Sequence, residues 1–166
     1  NLLHTLSFYL SFKSSFFIKK YIQKSLKNKI KFKKLLFIDH HLCHAASSYY
    51  FSDLKFDEKS HCLTLDGQGD GHFSKFFNFQ GNNYKEIAAS KSEIFYFKGN
   101  VYAASIGELY SNFTEALDLI RNNDEGKTEA LAAYGKKNRK IFNDLKSLYY
   151  FEKESIFFKI DKLKKY

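Results

Sequence analysis

Three histidines fall within five positions in the stretch Ile38-Asp39-His40-His41-Leu42-Cys43-His44-Ala45-Ala46. On a helix that begins near Asp39, His40 and His44 stand one turn apart on the same face, where both imidazoles can converge on one ion. His41 points elsewhere. Neutral imidazole suits zinc or iron(II), and a site built on two of them needs a third protein ligand, usually a carboxylate, with open positions left for substrate. Histidines at this spacing also occur where they only cap or line a helix, so the spacing alone leaves both readings open.

A second group of chemically able residues lies about twenty positions further on, in Leu63-Thr64-Leu65-Asp66-Gly67-Gln68-Gly69-Asp70-Gly71. Glycines between strands let backbone amides approach phosphate oxygens closely, and the flanking Asp66 and Asp70 can hold a metal or orient a nucleophile. There is no P-loop lysine and no dinucleotide fingerprint, and a plain Asp-Gly hairpin is the competing reading. The third group is Glu125-Gly126-Lys127-Thr128-Glu129-Ala130-Leu131-Ala132-Ala133-Tyr134-Gly135, which opens a helix with Gly126 and Lys127 where an anion can rest on exposed amides. A capped surface helix is the alternative there.

The elements that must carry these residues follow from periodicity. Leu2 to about Lys29, free of Gly and Pro, reads as an amphipathic helix or two with a basic polar face. Leu35-Leu36-Phe37-Ile38 reads as a short buried strand that delivers the chain to a histidine helix ending before Ser52-Asp53. Cys62 to Leu65 is a strand, Asp66 to Gly71 a hairpin turn, Phe73 to Phe79 the return strand, Gly81-Asn82-Asn83 a turn and Tyr84 to Ala88 a third strand, which together make a β-meander. After Gly99 the pattern is helical, with Ile106, Leu109, Tyr110, Phe113, Leu117 and Ile120 recurring at intervals of three and four. Arg121 to Gly126 interrupts it. A helix over Lys127 to Tyr134 is ended by Gly135 as a cap, and a helix over Arg139 to Tyr149 and a strand over Ile156 to Ile160 follow.

Composition narrows the class. With 166 residues and 44% hydrophobic content the chain has material for one ordinary domain or two small lobes. The balance of 27 Lys and Arg against 18 Asp and Glu gives a net charge of +9. That charge would ordinarily point to nucleic acid or an anionic membrane. The lysines are scattered, however, and the abundance of Phe, Tyr, Lys, Asn and Ile together with the absence of Pro, Met and Trp reads as compositional drift rather than a selected basic surface. No apolar run approaches the roughly 20 residues that span a bilayer, and the basic residues follow the apolar opening rather than precede it, the reverse of a secretory signal. Cys43 and Cys62 form no CxxC pair, so a reduced cytoplasmic setting is expected. Because Asn1 is not a natural start, the chain is expected to be an internal piece.

The order of the motifs is more specific than any one of them. His-His-x-x-His-Ala-Ala, then Leu-Thr-Leu-Asp-Gly-x-Gly-Asp, then Ser105-Ile106-Gly107 with Tyr110-Ser111 and Thr114, then Glu-Gly-Lys and Leu-Ala-Ala-Tyr-Gly, closely resembles the carbamoyltransferases of the nodulation-protein and antibiotic-biosynthesis type over roughly Leu35 to Lys136. Where that family has a Pro after Ser52, another within the final Leu-Ala-x-Tyr-Gly, Met-Gly at Glu129-Ala130 and often Glu at Asp70, this chain differs.

The resemblance implies an α/β fold of the actin-like ATPase type, shared with sugar kinases and heat-shock chaperones, with parts of two lobes present. Residues 1–58 would end the first lobe and carry the histidines; residues 59–166 would start the second with the glycine-rich hairpin. It implies that His40 and His44 bind a divalent metal, iron(II) or zinc, and that Asp66, Gly67, Gly69, Asp70, Gly126 and Lys127 face ATP. The implied reaction moves a carbamoyl group from carbamoyl phosphate, through carbamoyl-adenylate, to the hydroxyl of a small molecule. The third metal ligand and the residues gripping carbamoyl phosphate would lie beyond Tyr166, no catalytic residue is assigned, and the piece alone would not turn over. Two rival readings are a threonylcarbamoyl-transfer relative of the same fold, which lacks the Leu-Ala-Ala-Tyr-Gly ending, and a basic nucleic-acid-binding module, which leaves the histidine and glycine motifs unexplained.

Overall fold

A computed structural model of the protein describes residues 21, 24–26 and 36–163. The long helix expected over Leu2 to Lys29 lies outside the described residues apart from Tyr21 and residues 24–26, which are helical.

Asp39 begins the first helix, α1 (His40–Tyr50), by accepting a hydrogen bond from the Leu42 N–H at 2.9 Å. A short acidic side chain at this position satisfies one of the amides that a helix leaves unpaired at its start. One consequence is a correction to the strand expected just upstream: Leu36, Phe37 and Ile38 join no sheet and are 65%, 42% and 61% exposed. A short apolar run becomes a strand only beside a partner ladder, and no described strand runs along it. On the buried face of α1, Ala45 and Tyr49 are four residues apart and pack on Phe77 and Phe79, with Leu42, Ala46 and Cys62 at the margin. Burying each of those rings stabilises the contact by roughly 1.5–3 kcal/mol, so this cluster fixes the histidine helix to a sheet.

That sheet is the expected meander, in the order β1 (Ser60–Gly69), β2 (His72–Gln80), β3 (Asn83–Lys91), all antiparallel. Its first turn is tighter than the sequence implies. Gly69 pairs with His72, leaving only Asp70 and Gly71 in the loop with φ of +50° and +83°. Positive φ at both central residues is the geometry whose twist suits a two-residue hairpin, and Asp-Gly is a favoured pair for it. Asp66, Gly67 and Gly69 therefore belong to β1 rather than to the turn, on a stretch where the register slips between Leu65 and Gly69.

A second hairpin, β4 (Glu93–Phe97) and β5 (Asn100–Ala104), turns on Lys98 and Gly99 with φ of +47° and +80°. It replaces the start of the helical stretch expected after Gly99. The helix itself, α2 (Ile106–Ala116), starts where Ser105 Oγ accepts from the Glu108 N–H at 3.0 Å and stops well short of Ile120. Leu117 and Ile120 are consequently half or more exposed. Next come α3 (Glu125–Ala132) and α4 (Arg139–Lys146). Gly135 is not the expected left-handed cap: α3 ends at Ala132 with Ala133 as its cap residue, and the Gly135 N–H bonds the Ala132 carbonyl in a continuing turn.

The chain from Tyr149 forms a third hairpin, β6 (Tyr149–Glu152) and β7 (Ser155–Phe158), followed by the short α5 (Ile160–Leu163). Tyr149 is thus a strand residue, not the end of a helix. The Ile156 N–H donates to Ser90 Oγ at 2.9 Å and Ser155 Oγ donates to the Ala89 carbonyl at 3.1 Å, which ties this hairpin to β3. A second apolar cluster of Phe73, Ala104 and Phe158, with Phe95, Leu109 and Ile156 around it, joins β2, the two small hairpins and α2. The architecture of the described residues is mixed α/β with antiparallel sheets. Among them, no helix is long and apolar enough to cross a membrane.

Candidate metal centre

The start of α1 is held from two sides. Asp39 caps it from within, and Asp70, reaching from the β1–β2 turn, accepts from the His40 N–H at 2.8 Å. Asp70 was expected to face phosphate; in the structure its carboxylate is engaged by the helix. With both ends of the turn fixed, the His40 side chain is directed at Asp66 on β1.

Three donor atoms meet there. His40 Nε2 is 2.6 Å from Asp66 Oδ2, His44 Nε2 is 3.3 Å from the same oxygen, and the two Nε2 atoms are 3.0 Å apart. A single imidazole proton cannot serve both neighbours of His40 Nε2, so the triangle brings together more lone pairs than protons to share among them. His40, His44 and Asp66 are the group among the described residues whose ligand atoms all lie within 4.8 Å of one another. Their side chains are 40%, 58% and 34% exposed, so the cluster opens to solvent on one side. Burial alone would raise the Asp66 carboxyl, but the hydrogen bond from His40, the Gly67 N–H at 2.6 Å and the two nearby imidazoles outweigh it and hold the group below the usual carboxylate range. Asp66 is therefore an anion at neutral pH. The sequence reading placed Asp66 on the nucleotide side and left the third donor to residues beyond Tyr166; no local spacing links positions 40 and 66, which a bulged strand brings together.

His41 is fully buried and turned the other way. Its Nδ1 lies 2.9 Å from Thr64 Oγ1 and its Nε2 is 3.0 Å from the His72 carbonyl, so the ring bridges β1 and β2. Replacing His41 with Ala removes both bonds and leaves a hole beneath α1. The expected loss is about 3 kcal/mol of unfolding free energy, measured by urea denaturation.

Two glycines permit the close approach. A methyl group on Gly69 would land in the His40 ring, and one on Gly107 would strike the backbone of Asp66 and Gly67. Gly107, in the first turn of α2, thus seats that helix directly on the irregular part of β1. Gly67 itself faces open space on its other side, with nothing within 4 Å of where a Cβ would stand.

Beneath the cluster lies a lysine that the sequence reading passed over. Lys75 on β2 has a side chain only 8% exposed, and its Nζ donates to Asp39 Oδ2 and to Glu86 Oε2, both at 2.9 Å. Burial would raise the Asp39 carboxyl, yet the bonds from Lys75 and from the Leu42 N–H win and lower it. A carboxyl depressed in the folded state stabilises above its unfolded pKa of about 3.9 and loses that contribution as pH falls through the lower folded value. The stability gap between wild type and Asp39→Asn is therefore expected to be flat from pH 5 to 8 and to close on acidification below about 3.9, as urea midpoints across that range will register.

Gly126 and Lys127 sit on α3. Lys127 Nζ pairs with Asp124 at 2.7 Å, and Glu125 accepts from Ser111 Oγ at 2.8 Å and from the Asn122 N–H at 2.7 Å, while Thr114 and Thr128 share a hydrogen bond of 2.8 Å. These contacts dock α3 on α2. None of the hydrogen bonds or ion pairs described for Lys127 reaches the histidine cluster, and Gly126 faces open space.

A family model described as the carbamoyltransferase N-terminus matches residues 7–165. The chain belongs to that family. This carbamoyltransferase segment is also 44% identical over 138 residues to an uncharacterised protein of Methanocaldococcus jannaschii, an alignment that covers 81% of the chain and 22% of that protein. It thus spans less than a quarter of the length of the relative it matches. In the carbamoyltransferase segment, the His-x-x-x-His helix and the Asp66 strand are the parts that converge.

Proposed function

We propose that this segment carries part of the active centre of an ATP-dependent O-carbamoyltransferase, and that His40, His44 and Asp66 hold its divalent metal. The observation that carries the reading is the meeting of two imidazole nitrogens and a carboxylate oxygen within 3.3 Å of one another, in a chain of the carbamoyltransferase family. The donor set fits such an ion. Ligands about 2.1 Å from one centre stand roughly 3–3.4 Å apart, close to the separations here, and a mixed nitrogen and oxygen set suits iron(II) or zinc. The bound metal would act as a Lewis acid that neutralises phosphate charge and aligns the attacking oxygen.

The chain's own residues would do the rest. Asp66 supplies a negative charge that two neutral imidazoles lack. Asp70 and Asp39 fix the helix on which both histidines stand. The open space beside Gly67 leaves room for the nucleotide phosphates, and Gly126 and Lys127 are assigned to the same co-substrate. In the proposed sequence water hydrolyses carbamoyl phosphate, breaking its bond to phosphate and leaving carbamate and inorganic phosphate; a carbamate oxygen then attacks the α-phosphorus of ATP and expels pyrophosphate. The acceptor hydroxyl then attacks the carbamoyl carbon, loses its proton and releases AMP. The architecture would be the actin-like ATPase type, with the lobe boundary near residues 58 and 59, and the working setting the cytoplasm.

The test uses the protein that contains this segment, stripped of metal and then given iron(II) or zinc. Pyrophosphate release that requires carbamoyl phosphate, ATP and metal together, with carbamoyl-adenylate seen by mass spectrometry, is the expected result. Release that requires threonine and bicarbonate instead would move the protein to the threonylcarbamoyl-transfer class, and activity indifferent to metal would overturn the role given to His40, His44 and Asp66.

A further inference from the structure

We propose that Lys75 is a positioning residue for this centre: it holds His40 in place by gripping the residues on both sides of it. The proposal takes His40, His44 and Asp66 as the working set proposed above. The first grip is direct. Lys75 Nζ donates to Asp39 Oδ2 at 2.9 Å while Asp39 Oδ1 accepts from the Leu42 N–H at 2.9 Å, so both oxygens of the residue before His40 are engaged and its carboxylate cannot rotate freely. The second grip runs through Thr64. The Lys75 N–H donates to Thr64 Oγ1 at 3.2 Å, Thr64 Oγ1 donates to the Lys75 carbonyl at 3.1 Å, and the same oxygen lies 2.9 Å from His41 Nδ1. The ammonium of Lys75 thereby holds position 39, while the hold on position 41 comes from the backbone of the same residue and persists whatever side chain stands there.

Stability alone does not account for a lysine here. Lysine is among the residues least often fully buried, and removing its charge from water costs free energy that its partners only partly return. An apolar side chain of similar volume is often as stable or more so at such a place. What an apolar chain cannot do is hold a carboxylate. Glu86, reaching Nζ from β3 at 2.9 Å, completes the arrangement: it balances the lysine charge and ties the tether to the neighbouring strand of the sheet. The consequence at the metal end is angular. Helical residues follow one another at about 100°, so a small rotation at Asp39 swings the His40 ring away from Asp66 Oδ2.

The experiment compares wild type, the charge-balanced double variant Lys75→Met/Glu86→Gln, and Lys75→Arg, all in the full chain. Removing Lys75 and Glu86 together leaves the local net charge unchanged, so any effect on metal affinity is geometric. Two readings are taken: nitrogen-15 spectra of the histidine rings without metal, with His61 as the internal reference because it bonds Asn78 on another part of the sheet, and the dissociation constant for cobalt(II). In the double variant the His40 and His44 signals are expected to move while that of His61 stays, and the cobalt constant to rise about tenfold, the low end of the cost of losing support around a metal ligand. Lys75→Arg should recover most of both. Unchanged His40 and His44 signals in the double variant would overturn the proposal, whatever happens to its melting temperature. A wild-type chain that takes no cobalt would instead overturn the metal reading, and the ring spectra would still decide the role of Lys75.

Discussion

Asp66→Ala is expected to weaken divalent-metal binding by 100-fold or more and to abolish metal-dependent pyrophosphate release. The reason is its place in the triangle: it contributes the single anionic donor, 2.6 Å from His40 Nε2 and 3.3 Å from His44 Nε2. Disturbing the partners of a metal ligand costs about 10–100-fold in affinity, and removing a ligand itself costs at least the upper end of that range. Two imidazoles with nothing between them retain only weak affinity. Asp66→Asn should fall nearly as far, since the amide keeps an oxygen but loses the charge that the environment of Asp66 stabilises. Asp70→Ala is the control. It removes the acceptor of the His40 N–H and places a methyl residue at φ +50°, so it should cost about 2 kcal/mol of stability with a smaller effect on metal. Calorimetric titration with zinc on all three variants separates these outcomes. Equal metal affinity in Asp66→Ala and wild type would remove the carboxylate from the centre.

Gly107→Ala is expected to cost both stability and metal affinity although the residue lies outside the cluster. Its added methyl would press into the Asp66 and Gly67 backbone, which has no flexible end to yield. Overpacking of this kind costs typically 1–3 kcal/mol, and here the relief must come either from lifting α2 off β1 or from moving Asp66. Both routes reach the metal donors, because α2 begins at Ser105 and Ile106, directly beside the slipped register of β1. The variant should therefore lose about 3 kcal/mol of unfolding free energy and, in whatever fraction remains folded, bind metal more weakly than wild type. Gly126→Ala, at a position with nothing within 4 Å, should be neutral to slightly stabilising in its helix. A thermal melt of both proteins distinguishes a specific contact from a general sensitivity of glycines.

The parts of the centre that were legible in the sequence are those set by short-range rules. His40 and His44 share a face because a helix repeats every 3.6 residues, and Asp39 announces the start of that helix by its chemistry. The meander was legible from alternation and from Asp-Gly and Gly-Asn turns. What escaped notice depends on the register of one strand against another. Asp66 looked like a turn residue because glycines surround it, and the turn proved to need only Asp70 and Gly71. Lys75 carries no motif of its own, although its alternation with Phe77 and Phe79 puts it on the covered face. The apolar spacing after Gly99 suggests a helix at once, yet Lys98-Gly99 between aromatic segments is a hairpin signal of the same kind as Asp70-Gly71. The affiliation to the carbamoyltransferases came from motif order and did not depend on any of these details.

Among the described residues, the side-chain partners of the α1 histidines lie downstream. His40 meets Asp66 and Asp70 at separations of 26 and 30 residues, His41 meets Thr64 at 23 and Asp39 meets Lys75 at 36. A helix of 11 residues is marginal in isolation, so during synthesis the histidines leave the ribosome with the Asp39 cap but before Asp66, Asp70 and Thr64 can orient them. They become a site only when the β1–β2 hairpin closes, and the chain entropy of that closure is lost before its contacts form. If the proposed centre takes its metal, folding and metal capture would in that sense be a single late event, and substitutions at the Asp70-Gly71 turn should slow the appearance of both with the same rate constant.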